Sequence, residues 1–223
     1  MRLLKQVTSF FVIHFKYIYQ MIIKAIVFGA TGLTGSQVVE QLLEKENIKV
    51  VAVVRQRIHN AAPELEQIVI KDFSKLEQHA PELKADAYFC CIGTTINKAG
   101  SKDKFLRTDL AIPVTIARLV NATGTRAAGF VSSIGANASS SNFYLSTKGK
   151  MEREVEKIIG EKAVFIRPSL LMGNRKEFRF GETLGVGFMK AFGWALIGPL
   201  RKYRGVNASD VARELISLTL SKL

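Results

Sequence analysis

From residue 22 onward, short runs of β-branched and apolar residues alternate with longer stretches whose apolar positions recur with a helical period. The pattern predicts strands over 22–29, 48–55, 66–72, 85–93, 126–135 and 162–169. Helices are predicted over 34–45, 103–121, 142–159 and 206–220, the last with Ser209 or Asp210 as its N-cap. Strands that read as near-continuous apolar runs belong in parallel sheets covered on both faces, joined by right-handed crossovers. The expectation is an α/β fold: a doubly wound, mainly parallel sheet in a single domain over 21–223.

Two segments depart from the alternation. Residues 1–20 carry Arg2, Lys5 and Lys16 around an apolar stretch too short for a membrane span. They read as an N-terminal extension or accessory helix, with a surface-binding amphipathic segment as the alternative. Beyond Ser169 the pattern loosens, and residues 181–200 are apolar, glycine-rich and interrupted by Lys190. A core helix, lid or dimer surface fits that composition, which gives a small substrate lobe over about 170–205.

Composition narrows the possibilities. With 48% hydrophobic and 23% charged residues the chain is that of an ordinary folded protein. Its net charge of +13 favours phosphate-bearing partners through long-range attraction, but the basic residues are scattered and no aromatic-interleaved basic strand is present. Nucleic acid is therefore not an expected partner, nor is stable membrane insertion. Cys90 and Cys91 are adjacent, which excludes a disulfide framework and suggests a reducing, cytoplasmic setting. His14, His59 and His79 have no ligand spacing, so no metal site is expected.

The first predicted strand runs into Gly29, Thr31, Gly32, Leu33, Thr34 and Gly35, a G-x-x-G-x-x-G turn that opens the first helix. Glycines there let backbone approach a pyrophosphate closely while the helix N-terminus offers unpaired N–H groups and a positive dipole end. Dinucleotide binding follows from that context. The end of the second strand carries Arg55, followed by Arg57, and no acid. A cation suits an adenosine 2′-phosphate, so NADP(H) is expected over NAD(H), the alternative being a solvent-facing arginine. Asp72 is placed either to contact the adenine edge or to serve as a turn residue. Gly93 and Thr94, with Thr95, follow the fourth strand at the edge where such cofactors lie.

Tyr144 and Lys148 are four residues apart, so a helix brings them to one face. A phenol is a weak acid at neutral pH, and a neighbouring ammonium favours its anion, as proton exchange during hydride transfer requires. Lys148 would also bind the nicotinamide ribose. Ser132 or Ser133, ending the fifth strand, would hydrogen-bond the reacting oxygen.

Taken in order, the glycine turn, the serine pair, Tyr144-x-x-x-Lys148 and the Arg167 to Ser169 tripeptide resemble the short-chain dehydrogenase/reductases. "FCCIGTTINKAG", "SSNFYLSTKGKMEREVE" and "IRPSLLMGNRKEFRFGE" resemble more closely the atypical branch around the Tat-interacting oxidoreductase and its bacterial NAD(P)-binding relatives. The resemblance implies a Rossmann fold, NADPH binding, and Tyr144 and Lys148 as the active pair. It points to Ser133 as the acting serine and sets Leu171 and Arg179 near the pocket. One departure is Asp109, where many members of the family have asparagine, which puts a proton relay through that position in question. A second is the lack of a large C-terminal domain, which gives sugar-nucleotide chemistry no support. The expected function is NADPH-dependent oxidation or reduction of a small carbonyl or alcohol; the alternative is an NADPH-binding regulatory protein with little turnover. Oligomeric state, monomer or homodimer, is left open.

Overall fold

The computed structural model describes residues 22–169, 171–172 and 205–223. Six strands, β1 (Ile23–Phe28), β2 (Ile48–Val54), β3 (Glu66–Val69), β4 (Ala87–Cys90), β5 (Ala127–Val131) and β6 (Ala163–Ile166), form one sheet in the order β3-β2-β1-β4-β5-β6. Every neighbouring pair is parallel. The chain winds outward from β1 through β2 to β3, then returns to the centre and winds the other way from β4. The carboxyl ends of β1 and β4 therefore flank a topological switch point, where such sheets open a ligand crevice.

Alternation within the strands divides the core into two layers. Ala25 and Val27 of β1 face α1 (Leu33–Leu43) and the C-terminal helix α6 (Ala208–Leu220), in a layer with Val38, Leu42, Val211 and Leu215. Ile26 and Phe28 face the opposite layer, with Tyr88, Phe130, Ile116 and Met151. That burial on both faces is why the strands read as unbroken apolar runs. Gln41 Nε2 joins the two helices of the first layer by donating to Ser209 O (2.9 Å) and lying 3.1 Å from Ser209 Oγ.

The helix expected over 103–121 is interrupted. After a separate short helix, α2 (Ile96–Ala99), that stretch forms α3 (Lys102–Leu106), a π-helical turn (Arg107–Ala111) and α4 (Ile112–Thr123). Ile112 N–H bonds to Arg107 O, one residue further back than an α-helix allows. The cause is Pro113, the second residue of α4, which has no N–H to return to the Asp109 carbonyl. Apolar periodicity tolerates one extra residue, so the sequence reads as a single helix there.

Three smaller features also escape the pattern. A 3₁₀ helix (Phe73–His79) follows β3, and the two-residue strands β7 (Leu171–Met172) and β8 (Val206–Asn207) pair in parallel. The N-cap of α6 is Asn207, with no side-chain capping bond, rather than Ser209 or Asp210. Both of those lie inside the first turn, where Asp210 complements the dipole. Residues 1–20, Arg179 and the 181–200 segment lie outside the described residues.

Candidate functional site

The glycine turn sits at the carboxyl end of β1 and faces β4. Gly29 has φ +83°, and a Cβ on it would lie 2.8 Å from the Cys91 carbonyl carbon. A Cβ on Gly35 would lie 2.0 Å from Gly29 O, so neither position accepts a side chain without backbone movement. Gly32 N–H closes the turn on Gly29 O at 2.9 Å. Gly32 is the N-cap of α1, and no side chain caps the helix and no acid occupies its first turn. The first amides of α1 thus have no intrahelical partner and stand at the positive end of the dipole. Thr31 and Gly32 are exposed, Leu33 is half-buried and Thr34 is buried beneath them. This bare, amide-lined cradle fits a pyrophosphate.

Beside it, Arg55 and Arg57 are exposed just past β2, and Arg55 makes no ion pair with a described residue. Asp72 is engaged in a turn: Oδ1 accepts from Ser74 N (3.0 Å) and Ser74 Oγ (2.7 Å), capping the 3₁₀ helix. Those hydrogen bonds hold its carboxyl below the usual carboxylate range.

On the other side of the crevice lies α5 (Phe143–Ile159), whose N-cap Asn142 accepts from Leu145 N at 3.1 Å. Tyr144, Lys148 and Glu152 share one face of it, four residues apart. Tyr144 is half-buried, with its ring centroid 5.8 Å from that of Phe105 in α3. Lys148 is buried, and its Nζ lies 2.8 Å from Oδ1 of Asp109, which is wholly buried in the π turn. The other Asp109 oxygen accepts from Thr94 N at 2.9 Å. Burial acts against the Lys148 ammonium, but the Asp109 carboxylate, followed by the Tyr144 phenol, outweighs it and holds the lysine above its ordinary pKa.

One turn further along α5, Glu152 receives a two-pronged ion pair from Arg167, Nε to Oε1 at 2.9 Å and a terminal nitrogen to Oε2 at 2.8 Å. Arg167 follows β6 directly, so the pair fixes the rotation of α5 against the sheet. No role for Glu152 is read from the sequence. Nothing in the spacing identified Arg167.

The two serines at the end of β5 differ. Ser133 is half-buried and donates to Ile134 O at 3.3 Å. Ser132 is buried, and its hydroxyl has no hydrogen-bond partner among the described residues. Cys90 is buried in β4, and burial pushes its thiol up to about 12. No group of His, Cys, Asp and Glu among the described residues could hold a metal ion. The structure thus gathers the glycine turn, Arg55, Gly93, Thr94, both serines, Tyr144 and Lys148 around the carboxyl edge of the sheet. Leu171 lies in β7, beyond that edge in sequence.

Comparison with known proteins follows the same lines. Residues 29–182 match the NAD(P)H-binding family. The chain is 33% identical over 200 residues to the FMP52 protein, mitochondrial, of Candida albicans, a match covering 85% of each chain. It is 36% identical over 167 residues to HTATIP2 of Rattus norvegicus, covering 73% of this chain and 68% of the relative. Among solved structures, MoeE5 in complex with UDP-glucose and NAD superposes with a TM-score of 0.66 at 18% identity, covering 89% of this chain and 72% of that one. That likeness is one of fold. The expectation of a cytoplasmic protein is corrected here, because similar FMP52 proteins from several yeasts are named mitochondrial. The adjacent cysteines behind it speak to redox environment, which does not single out one compartment. Among the described residues no helix is long and apolar enough to cross a membrane.

Proposed function

Because the chain belongs to the NAD(P)H-binding family, and within it to the atypical short-chain dehydrogenase/reductases, we propose that it is an NADPH-dependent oxidoreductase acting on a carbonyl or alcohol group of a small molecule. The observation that carries this reading is the meeting, across one switch-point crevice, of an uncapped glycine-rich helix N-terminus with Tyr144 and the buried ammonium of Lys148.

The roles follow from the groups. The amides that open α1 hold the diphosphate, and Arg55 holds the 2′-phosphate that distinguishes NADPH from NADH. Lys148 donates to the nicotinamide ribose hydroxyls. When bound, the dinucleotide supplies or accepts the hydride. Tyr144 gives or takes the accompanying proton at its phenol oxygen, while Ser132 or Ser133 holds the reacting oxygen in place.

The test is a panel of aldehydes, ketones and quinones incubated with purified protein and NADPH, followed by the loss of NADPH absorbance. Against any substrate so found, Tyr144→Phe is expected to lower turnover by about 10² to 10⁴ while leaving NADPH affinity within about twofold. Full turnover in that variant would remove Tyr144 from the chemistry. Inactivity across the panel alongside tight NADPH binding would favour a regulatory protein that senses the cofactor.

A further inference from the structure

Past β2 the chain leaves the sheet for residues 55–65, which form neither helix nor strand, and Arg55 and Arg57 stand exposed at its start. Neither arginine is ion-paired with a described residue. Two pins bracket them. On one side Val54 is paired with Val69 of β3, and Ile70, the next residue, donates its N–H to Val54 O at 2.9 Å. On the other side Ile58 is gripped by a single side chain of β3. Gln67 Oε1 accepts from Ile58 N at 2.8 Å, and Gln67 Nε2 donates to Ile58 O at 3.1 Å.

A carboxamide matches both halves of a peptide group, because it carries a donor and an acceptor in one plane. A carboxylate has no donor for Ile58 O, and a thioether of similar length has no donor and only a weak acceptor. Gln67 is half-buried, and Ile58 and Ala61 pack against the layer that holds α1 and α6. The turn is thus drawn to the side of the sheet on which α1 presents its first amides.

We propose that Gln67 is a positioning residue for cofactor choice: by holding both backbone groups of Ile58 it fixes the Arg55–Arg57 turn so that the two guanidinium groups meet one adenosine 2′-phosphate. This rests on the NADPH reading above. Two long cations on an unanchored loop would lose loop and side-chain freedom when they close on a phosphate, and the clamp removes the loop's share beforehand. Its effect is confined to the 2′-phosphate. The diphosphate is taken by the α1 amides, and NADH offers the arginines nothing comparable.

The experiment measures NADPH and NADH affinities by fluorescence titration on the full chain, Gln67→Met, the pair Arg55→Ala with Arg57→Ala, and all three together. Gln67→Met is expected to weaken NADPH by about five- to tenfold, the scale of two lost neutral hydrogen bonds, and to leave NADH within about twofold. In the background lacking both arginines the same substitution should change neither affinity, because the clamp acts through them. A merely structural role would weaken both cofactors and persist in that background. Hydrogen exchange reads the clamp directly: the Ile58 amide should exchange faster in Gln67→Met while the β2 amides keep their protection.

Gln67→Glu keeps the test decisive if Gln67→Met does not fold, since it retains the length and the acceptor for Ile58 N but gives nothing to Ile58 O. It too should lose NADPH several-fold and spare NADH. Parent-like NADPH binding by the Met variant, or by the Glu variant where Met does not fold, would overturn the proposal. So would an equal loss of both cofactors, an undiminished loss in the arginine background, or an Ile58 amide that exchanges as in the parent. A parent protein that binds NADH as tightly as NADPH would remove the 2′-phosphate reading beneath it, and one that binds neither would remove the dinucleotide reading itself.

Discussion

Arg55 stands exposed one residue beyond β2, with no acid at the strand end to accept a ribose hydroxyl. Its charge is uncommitted to any described residue, unlike Arg167, whose guanidinium is spent on Glu152. An arginine held by a structural partner has a reason to be there without a ligand; Arg55 has none in view. Arg55→Ala should therefore weaken NADPH by about tenfold or more and leave NADH nearly unchanged, since only the 2′-phosphate distinguishes them. Fluorescence titration of both cofactors decides it, and equal losses would return Arg55 to the solvent-facing reading. Asp72 shows the contrast at the same scale. Its Oδ1 is already occupied by Ser74, so a turn role accounts for its presence.

At the scale of elements, the β1–α1 turn is limited by backbone contact before any ligand arrives. Gly35→Ala would drive a methyl carbon to 2.0 Å from Gly29 O, and only a shift of α1 away from β1 could relieve it. That shift would loosen the packing of Val38 and Leu42 beneath the helix. A loss of about 2 to 4 kcal/mol is expected in urea unfolding, together with loss of NADPH binding. Near-parent stability would mean that the turn relaxes easily and that its glycines serve the ligand alone. The π turn is the other element that decides the site. It sets the phase of Asp109 relative to α4, and one proline, Pro113, sets the turn.

Across the whole molecule, legibility in sequence followed the range of the interaction. Alternating apolar runs, glycines at a strand-helix junction and Tyr144 four residues before Lys148 are local patterns, and the sheet and one side of the site could be read from them. The Asp109–Lys148 and Glu152–Arg167 pairs join residues on different elements, so no spacing announces them. β7 and β8, two residues each, are too short to carry a period. Net charge is the one whole-chain property that bears directly on function. At +13, the molecule repels itself and attracts a polyanionic dinucleotide, with Arg55 exposed at the crevice edge. Salt screens both effects. Raising sodium chloride from about 0.02 to 0.5 M shortens the Debye length from roughly 20 Å to about 4 Å. The association rate of NADPH in stopped-flow fluorescence should then fall about tenfold while dissociation changes little, because steering acts on encounter. NADH, lacking the 2′-phosphate, should show a shallower slope. Thermal stability should rise over the same range as self-repulsion is screened. Identical slopes for the two cofactors would mean that the field acts on the diphosphate alone and that Arg55 adds nothing to capture.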